Sequence, residues 1–209
     1  MTVVTRPGKI VCVGRNYAAH AQELGNEVPA EPLLFLKPPS SMIANGEPIV
    51  LPAASSRVEY EAEIGIVVGR RLSRADEMVA ERAIGGIVCV NDVTARDLQK
   101  SDGQWTRAKG FDTFCPVGPR VVSGLDWRAL EVIGRVNGEE RQRGRSSQMH
   151  FSIPFLLSYI SSIMTLEPGD LVATGTPAGT GVLAEGDVVE VEIPGVGKLT
   201  NPVRSDDAR

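Results

Sequence analysis

Three glutamates alternate with other residue types at the start of one apolar segment. Glu59, Glu61 and Glu63 are two positions apart and lead into the apolar residues 64–68. Because strand side chains alternate between two faces, a strand here places all three carboxylates on one face, roughly 6.5 to 7 Å apart. Such oxygen ligands favour Mg²⁺, Mn²⁺ or Ca²⁺. The same pattern is also typical of a solvated edge strand whose charges oppose aggregation.

Asp92 and the polar residues after it form a second candidate group. Asp92 follows the apolar run 86–91, and a side chain at a strand end can emerge into a cleft and complete an oxygen cage. Asp also caps helices, so both interpretations stay open. Arg96 and Gln99 share a face of a helical turn, where a guanidinium and an amide can hold a small carboxylate. Ordinary surface polarity is the alternative.

One of the two histidines has an acidic neighbour at helical spacing. His20 and Glu23 are three residues apart, which suits a general-base pair. An exposed helix pair has the same spacing. Lys109 lies between apolar residues of segment 108–114, so its ammonium group either meets an anion or reaches solvent along its flexible stem.

The glycine-rich segment 175–181 excludes two kinds of chemistry. It lacks the Gly-Lys-Ser/Thr ending of a phosphate loop, and no helix-forming run follows it, which argues against ATP and dinucleotide binding. Its backbone N–H groups and the Thr176 side chain can still approach a small acid. The chain also has no Gly-x-Ser-x-Gly motif, so a serine nucleophile is not predicted.

The segments that position these residues predict a strand-rich chain. Many glycines and prolines, 22 and 14, separate short β-branched runs. Strands are predicted at residues 9–13, 33–36, 60–68, 86–91, 117–122, 132–136, 171–174, 188–193 and 198–202. A helix is predicted at 16–24, and another at 73–83 with Ser73 as N-cap, Asp76 in the capping box and Gly85 as the stop. A third begins after Ser152 and has a core-facing stripe that ends at Met164.

Composition narrows the class of protein. The 209 residues contain 22 Lys and Arg against 26 Asp and Glu, a net charge of −4, which argues against nucleic acid as a partner. The length suits one domain over residues 1–209, with its core at about 9–203. No apolar stretch is long enough to cross a bilayer, and residues 1–10 do not resemble a signal peptide, so we expect a cytoplasmic protein without membrane partners. Cys12, Cys89 and Cys115 are expected to be buried thiols.

Six ordered segments, from about residue 9 to 202, together resemble the fumarylacetoacetate hydrolase family, in particular its short acylpyruvate hydrolase and oxaloacetate decarboxylase branch. The segments are Val13-Gly14-Arg15-Asn16-Tyr17 with His20, Phe35-Leu36-Lys37-Pro38, Glu61-Ala62-Glu63-Ile64-Gly65, Asn91-Asp92-Val93-Thr94-Ala95-Arg96-Asp97, Lys109-Gly110-Phe111-Asp112 and Thr174-Gly175-Thr176-Pro177.

The resemblance implies a role for each candidate. Glu61, Glu63 and Asp92 would bind Mg²⁺ or Mn²⁺, with Glu59 a neighbour and not a ligand. His20 and Glu23 would form an acid-base pair on a mobile lid, and Lys109 would stabilise developing charge. The implied substrate-binding residues are Arg15, Arg96, Gln99, Gly175 and Thr176. The implied fold is an α+β, strand-rich roll of mixed β-sheet, a partly open barrel with few helices, assembled as a homodimer.

The implied chemistry centres on an enolate. A 2-oxo acid can chelate a divalent ion through its carboxylate and keto oxygens, and cleavage between carbons 3 and 4 leaves a pyruvate enolate. The expected reaction is hydrolysis of 2,4-dioxo acids such as fumarylpyruvate or acetylpyruvate to pyruvate and a carboxylic acid. The same site would suit oxaloacetate decarboxylation or isomerisation of a 2-oxo diacid. A noncatalytic module that binds oxo acids is the alternative of another class, but it would not need His20 and Glu23.

Overall fold

The computed structural model describes residues 6–206, which form three β-sheets and five short α-helices. The largest sheet has seven strands in the order β2-β1-β12-β6-β7-β9-β3. These strands are β1 (Ile10–Gly14), β2 (Leu33–Lys37), β3 (Met42–Ile43), β6 (Ala62–Val68), β7 (Ile84–Asn91), β9 (Cys115–Val122) and β12 (Leu171–Ala173).

The other two sheets are smaller. A five-stranded sheet has the order β11-β10-β14-β15-β4, and a three-stranded sheet has the order β13-β5-β8. The five strands are β4 (Ile49–Leu51), β10 (Glu131–Val136), β11 (Glu139–Arg145), β14 (Val188–Ile193) and β15 (Gly197–Ser205). The three strands are β5 (Val58–Tyr60), β8 (Thr94–Ala95) and β13 (Gly181–Val182).

Five short helices join or cover the strands. They are α1 (Ala18–Glu23), α2 (Glu77–Glu81), α3 (Arg96–Asp102), α4 (Thr106–Gly110) and α5 (Ile153–Ile163). α5 begins as predicted, because the Ser152 side chain accepts a hydrogen bond from the Phe155 N–H and Pro154 suits the first turn. Its stripe is buried at Leu156 and Ile160, but Ile163 is 57% exposed, so the stripe is shorter than predicted.

The main core lies between the two larger sheets and is closed by α5. Ile64 and Ile66 of β6 belong to the same buried cluster as Val132, Val191 and Leu199 of the five-stranded sheet. β-branched residues are frequent in these strands because they pack well on a pleated surface. Antiparallel pairs predominate, but β1 with β12, β3 with β9 and β4 with β15 are parallel. The predicted strand-rich α+β roll of mixed sheet is therefore confirmed.

The prediction of one continuous strand over 60–68 is wrong. The chain leaves the three-stranded sheet after Tyr60 and enters the seven-stranded sheet at Ala62, with Glu61 between β5 and β6. The Glu61 N–H donates to the Asn91 side chain, and its carbonyl accepts from the Asp92 N–H, so its backbone is held outside either ladder. Glu59 and Glu63 consequently belong to different sheets and do not share one strand face.

Two predicted helices are shorter in the structure. The helix predicted at 73–83 is α2, and its N-cap is Asp76, whose carboxylate accepts from the Val79 N–H, and not Ser73. Arg74 has a φ of +51°, which interrupts a helix there, and Gly85 belongs to β7. The helix predicted at 16–24 is α1, which begins at Ala18 because Asn16 is held in a loop by its own side chain.

Other predictions have mixed outcomes. Cys12, Cys89 and Cys115 are buried and free, as expected. Within residues 6–206, none of the helices has the length and apolar character needed to cross a bilayer. The single domain over 1–209, the cytoplasmic location, the homodimer and the expected lack of nucleic acid partners stay predictions, and residues 1–5 and 207–209 lie outside the described part.

Candidate active site

Three buried carboxylates meet where β6 begins and β7 ends. These two strands are antiparallel, with Glu63 opposite Val90 and Ala62 opposite Asn91, so Asp92 directly after β7 lies beside the start of β6. Oxygen atoms of Glu61, Glu63 and Asp92 lie within 4.8 Å of one another, and each residue is at most 4% exposed. The structure thus brings together the three predicted metal ligands. The helix-cap alternative for Asp92 is wrong, because α3 begins only at Arg96.

Residues 174–177 fix the outer side of this cluster. The Thr176 hydroxyl donates to the Ala62 carbonyl, and the Gly175 N–H donates to Glu63 Oε2 at 2.8 Å. Gln142 ties the same loop to β6, because it accepts from the Ala62 N–H and donates to Thr176. Gly175 has a φ of +100°, and a Cβ there would lie 2.8 Å from that of Asn16, so a side chain cannot be accommodated.

Two buried lysines neutralise part of the cluster. Lys109 Nζ lies 2.8 Å from Glu61 Oε2 and 2.7 Å from Asp92 Oδ2. Lys37 Nζ lies 2.6 Å from Asp92 Oδ1 and also donates to the Val93 carbonyl. Each lysine is 1% exposed. The predicted anion for Lys109 is therefore the carboxylate cluster itself, and the snorkelling alternative is wrong.

Lys37 is a functional candidate that residue types and spacing alone do not single out. Its signal was weak: a single lysine at the end of the apolar run 33–36, followed by two prolines. A lysine in that position also suits a strand end at the surface. Only the folded chain shows that β2 delivers this side chain into the interior beside Asp92.

The neighbouring acids differ in electrostatic environment. Burial alone would raise the pKa of Glu61, but Lys109 and Arg96 outweigh burial and hold that pKa well below its usual range. Burial raises the pKa of Glu63 well above its usual range, and the charges of Asp92 and Glu61 raise it further. For Glu59, Arg96 and Arg57 outweigh burial and lower the pKa. Glu63 is therefore the carboxylate whose charge is least compensated.

Arg96 links the acids to the predicted substrate-binding residues. Its guanidinium donates to Glu59 at 2.8 Å, to Glu61 at 2.7 Å and to the Gln99 side-chain oxygen at 2.7 Å. Arg96 and Gln99 are both half-buried on the first turn of α3 and line the cavity described next. Arg96 and Gln99 therefore share one helix face, as their spacing predicts. The alternative that they are ordinary polar residues of the surface is wrong.

A cavity of about 620 Å³ opens from the carboxylate cluster. Nine of the predicted site residues line it together with Phe35 and Trp105. Seven of the nine are Arg15, His20, Glu23, Glu61, Glu63, Arg96 and Gln99. Lys109 and Thr176 line it as well. Gly175 is not among the lining residues, and its N–H is used by Glu63, so its predicted contact with substrate stays a prediction. A cavity of this volume, on which directed polar groups converge, is typical of a small-molecule site.

His20 and Glu23 face the cavity from α1. His20 Nδ1 lies 3.3 Å from Glu23 Oε2, and the Glu23 carboxylate accepts the Gly179 N–H at 3.0 Å. His20 is 4% exposed, so the alternative of an exposed helix pair does not apply to the histidine. In the tautomer whose Nδ1–H donates to Glu23, the second ring nitrogen is a proton acceptor.

Comparisons with known proteins agree with this geometry. The family described as fumarylacetoacetate (FAA) hydrolase C-terminal matches residues 9–204. The chain is similar to the mitochondrial oxaloacetate tautomerase FAHD1 of Arabidopsis thaliana, with 46% identity over 91% of this chain and 88% of the relative. It is 45% identical to the mitochondrial oxaloacetate decarboxylase of Dictyostelium discoideum over 90% of this chain and 89% of that protein.

A solved structure extends the comparison. The fumarylpyruvate hydrolase of Pseudomonas aeruginosa, in complex with Mn²⁺ and pyruvate, superposes with a TM-score of 0.89, at 33% identity, over 96% of this chain and 91% of the other. The six sequence segments, the mixed-sheet roll and these matches lead to one conclusion. The chain belongs to the fumarylacetoacetate hydrolase family.

Proposed function

We propose that this chain is a divalent-metal-dependent enzyme for small 2-oxo acids and that Glu61, Glu63 and Asp92 hold its Mg²⁺ or Mn²⁺. The observation that carries the proposal is the convergence of three buried carboxylates within 4.8 Å at the end of a cavity. An all-oxygen donor set suits hard divalent cations. The similar fumarylpyruvate hydrolase in complex with Mn²⁺ and pyruvate supports it.

Two further observations fit a cation at this position. The pKa of Glu63 is raised because burial and two carboxylates act on it, so a positive charge beside it would relieve an unfavourable arrangement. The buried Tyr17 hydroxyl finds no hydrogen-bond partner among residues 6–206, and the Glu63 charge contributes to raising its pKa. A buried, unpartnered hydroxyl near Glu63 is the kind of polar group that a bound cation and its ligands could satisfy. When bound, the metal would supply Lewis-acid stabilisation of negative charge on a substrate oxygen.

The basic residues of the cavity suit an anionic substrate. Lys109 reaches the cavity from the inner end, and its ammonium group lies 4.7 Å from the centre of the Phe35 ring. In such a dry environment, a fixed positive charge stabilises a developing enolate oxygen more strongly than water does. Arg96 and Gln99 would hold the substrate carboxylate, since a guanidinium and an amide present planar, directed donors.

His20 would act as the general base. Glu23 orients its ring, and the free ring nitrogen would take a proton from a water molecule as that water attacks the carbonyl at carbon 4. The new bond joins the water oxygen to carbon 4. The bond between carbons 3 and 4 breaks, and its electron pair becomes the pyruvate enolate, which takes up a proton at carbon 3. The products are pyruvate and a carboxylic acid, so the proposed reaction is acylpyruvate hydrolysis.

Oxaloacetate is the second candidate substrate, and the names of two relatives at 45% and 46% identity favour it. Where carbon 4 is itself a carboxylate, loss of carbon dioxide gives the same enolate with no attack by water. Tautomerisation keeps the bond between carbons 3 and 4 and passes instead through the enolate of oxaloacetate itself, which forms when a base removes a proton from carbon 3. The three reactions therefore differ in what they require of His20.

This difference provides the test. Pyruvate release from acetylpyruvate, fumarylpyruvate and oxaloacetate would be measured with Mg²⁺ for the wild type and His20→Ala. We expect acetylpyruvate hydrolysis to fall by at least about 100-fold, as is typical for loss of a general base, and oxaloacetate decarboxylation to fall less. His150→Ala is the matched control, because His150 is exposed and does not line the cavity. Equal losses for both substrates would refute the water-activating role of His20.

A further inference from the structure

One buried amide joins the segment that carries two of the carboxylates to the loop that faces them. Gln142 is 0% exposed, lies on the edge strand β11 and is not among the residues that line the cavity. Its side-chain oxygen accepts the Ala62 N–H at 2.9 Å. Its nitrogen donates to the Thr176 hydroxyl at 2.8 Å and to the Pro177 carbonyl at 2.7 Å. Glutamate or methionine, which have the same length, could not form these three bonds.

The backbone around Gln142 lets its amide reach β6. The pairing of β10 with β11 shifts register after Gly134, which lies opposite Gln142, so Arg141 is bulged out of the ladder. A Cβ at Gly134 would lie 3.0 Å from the Ala62 Cβ and 3.1 Å from the Gln142 oxygen, so a side chain there would press on both. The glycine thus leaves room for the amide, and the bulge aims it across the core at the Ala62 peptide group.

Ala62 lies between two of the proposed metal ligands, Glu61 and Glu63. The orientation of its peptide groups therefore sets the directions in which both carboxylates leave the backbone. Its N–H is held by Gln142, and its carbonyl accepts from the Thr176 hydroxyl, which itself accepts from Gln142. A buried network of this kind is rigid when every member is satisfied. Gln142 thus holds the ligand segment without a hydrogen bond to either carboxylate.

The same loop carries the group that orients the acid-base pair. Gly179 follows Pro177 by two residues and donates its N–H to the Glu23 carboxylate at 3.0 Å. Glu23 in turn lies 3.3 Å from His20 Nδ1. A Cβ at Gly179 would lie 2.0 Å from the Arg141 carbonyl oxygen, so the loop packs directly on the bulge of β11. A displacement of Pro177 would therefore reach Glu23 through Gly179.

We propose that Gln142 is a positioning residue that couples the metal site to the acid-base pair, so that one side chain outside the cavity sets both Mg²⁺ affinity and the orientation of His20. The inference rests on the proposed function, which assigns the metal ligands and the general base. On the metal side Gln142 acts through Ala62, and on the other side it acts through Gly179 and Glu23. Because linkage is reciprocal, Mg²⁺ binding should also strengthen the hydrogen bond at Gly179.

Three substitutions separate the two directions of this coupling. Gln142→Met keeps the length of the side chain and removes its three hydrogen bonds. Tyr60→Phe removes only the hydrogen bond that the tyrosine hydroxyl donates to the Gly179 carbonyl at 2.9 Å. Asn201→Leu is the matched control. Asn201 is also a buried amide of the five-stranded sheet, but it donates to two backbone carbonyls of segment 44–47, away from the cavity.

The two directions give different results in calorimetry and kinetics. Mg²⁺ should bind Gln142→Met about tenfold more weakly than the wild type, the lower end of the effect of losing a partner outside the ligand set, and should bind Tyr60→Phe and Asn201→Leu with unchanged affinity. At saturating Mg²⁺, kcat for acetylpyruvate should fall in Gln142→Met and Tyr60→Phe with little change in KM, since Arg96 and Gln99 keep their places. Urea unfolding should show a loss of stability in Asn201→Leu as well, so loss of stability alone does not produce this pattern.

The Gly179 amide provides a readout that needs no substrate. Hydrogen exchange followed by NMR should show that Mg²⁺ slows exchange of this amide in the wild type, and the effect should be absent in Gln142→Met. If Mg²⁺ binds the wild type and leaves this exchange unchanged, the coupling is refuted while the metal-dependent function stands. This measurement decides even if Gln142→Met does not fold.

Two other outcomes are equally decisive. If Gln142→Met folds and binds Mg²⁺ as tightly as the wild type, Gln142 does not position the ligands and the coupling is again refuted. If the wild type neither binds Mg²⁺ or Mn²⁺ nor releases pyruvate from a 2-oxo acid, the proposed function itself is refuted, and the coupling with it.

Discussion

Replacing Glu63 with Gln should stabilise the metal-free protein and at the same time abolish its response to Mg²⁺. Glu63 is 1% exposed, and the hydrogen bond that its carboxylate accepts comes from the Gly175 N–H. Its oxygen atoms face Glu61 and Asp92 at 4.8 Å or less. At an effective dielectric constant of about 20, each such pair of like charges repels by roughly 3 to 4 kcal/mol.

The two lysines offset most of this repulsion, since their ammonium groups lie 2.6 to 2.8 Å from Asp92 and Glu61. We therefore expect Glu63→Gln to raise the free energy of unfolding in EDTA at pH 8 by about 1 to 3 kcal/mol. Mg²⁺ at 100 times its dissociation constant should add about 2.7 kcal/mol to the wild type and nothing to the variant. Urea unfolding with EDTA or with Mg²⁺ measures both quantities.

The contribution of Glu63 to the stability of the metal-free protein should decrease as the pH rises. The folded pKa of Glu63 lies above its unfolded value near 4.5, so protonated Glu63 favours the folded state. Its contribution is fully present below about pH 4.5 and is lost as the pH rises through the folded pKa. The stability of the metal-free wild type relative to Glu63→Gln should therefore fall between pH 5 and pH 8. A constant difference over this range would contradict the buried, repelled carboxylate.

Glu59→Gln is the matched control because it is the same substitution four residues away. Arg57 and Arg96 hold the pKa of Glu59 below its usual range, against the effect of burial, so its charge stabilises the fold. This variant should lose about 1 to 2 kcal/mol in EDTA and keep its gain with Mg²⁺. The reasoning is refuted if Glu63→Gln is less stable than the wild type in EDTA at pH 8, or if it still gains stability with Mg²⁺.

Two further substitutions separate the buried lysines. Lys109→Met should lower kcat with little rise in KM, because the ammonium group stabilises charge that develops in the transition state. The same variant should bind oxalate more weakly than the wild type does. Unchanged kcat and unchanged oxalate affinity would exclude this role. Lys37→Met should destabilise the metal-free protein by about 3 kcal/mol, since it leaves a buried carboxylate short of a partner. The loss of unfolding free energy caused by Lys37→Met should be clearly smaller in a protein that already carries Asp92→Asn. If urea unfolding shows that the effects of the two substitutions simply add, the pairing of Lys37 with Asp92 is contradicted.

The predictions that the structure confirms follow from local periodicity. The runs that became β6, β7 and β14 are rich in β-branched residues, and α5 begins with Ser152 and Pro154, so each element could be recognised without its neighbours. Alternation also groups Glu61 with Glu63, but it includes Glu59 as well, and the set of Glu61, Glu63 and Asp92 is the one that the family resemblance implies. Where a strand breaks and which acids lie together depended on tertiary contacts, which these local patterns do not contain.

The break at Glu61 is such a case. Residues 59–63 alternate and lead directly into the apolar run 64–68, with no turn residue between them. The chain nevertheless changes sheets at Glu61, because Asn91 and Asp92 take up its backbone groups. The partners that do this are 30 residues away in sequence. The break has a functional effect, since it turns Glu59 towards Arg57 and Arg96 and leaves Glu61 and Glu63 beside Asp92. Three acids that look equivalent in sequence thus acquire different pKa values.

The two buried lysines share the task of neutralising Asp92. Both neutralise Asp92, one at each oxygen, but only Lys109 lines the cavity. Lys37 also donates to the Val93 carbonyl and is not among the residues that line the cavity. The carboxylate of Asp92 would therefore keep one buried cationic partner and its orientation even if Lys109 turned its charge towards a substrate oxygen. A single lysine could not serve both needs, because a counter-ion that moves to the substrate leaves the buried acid unpaired.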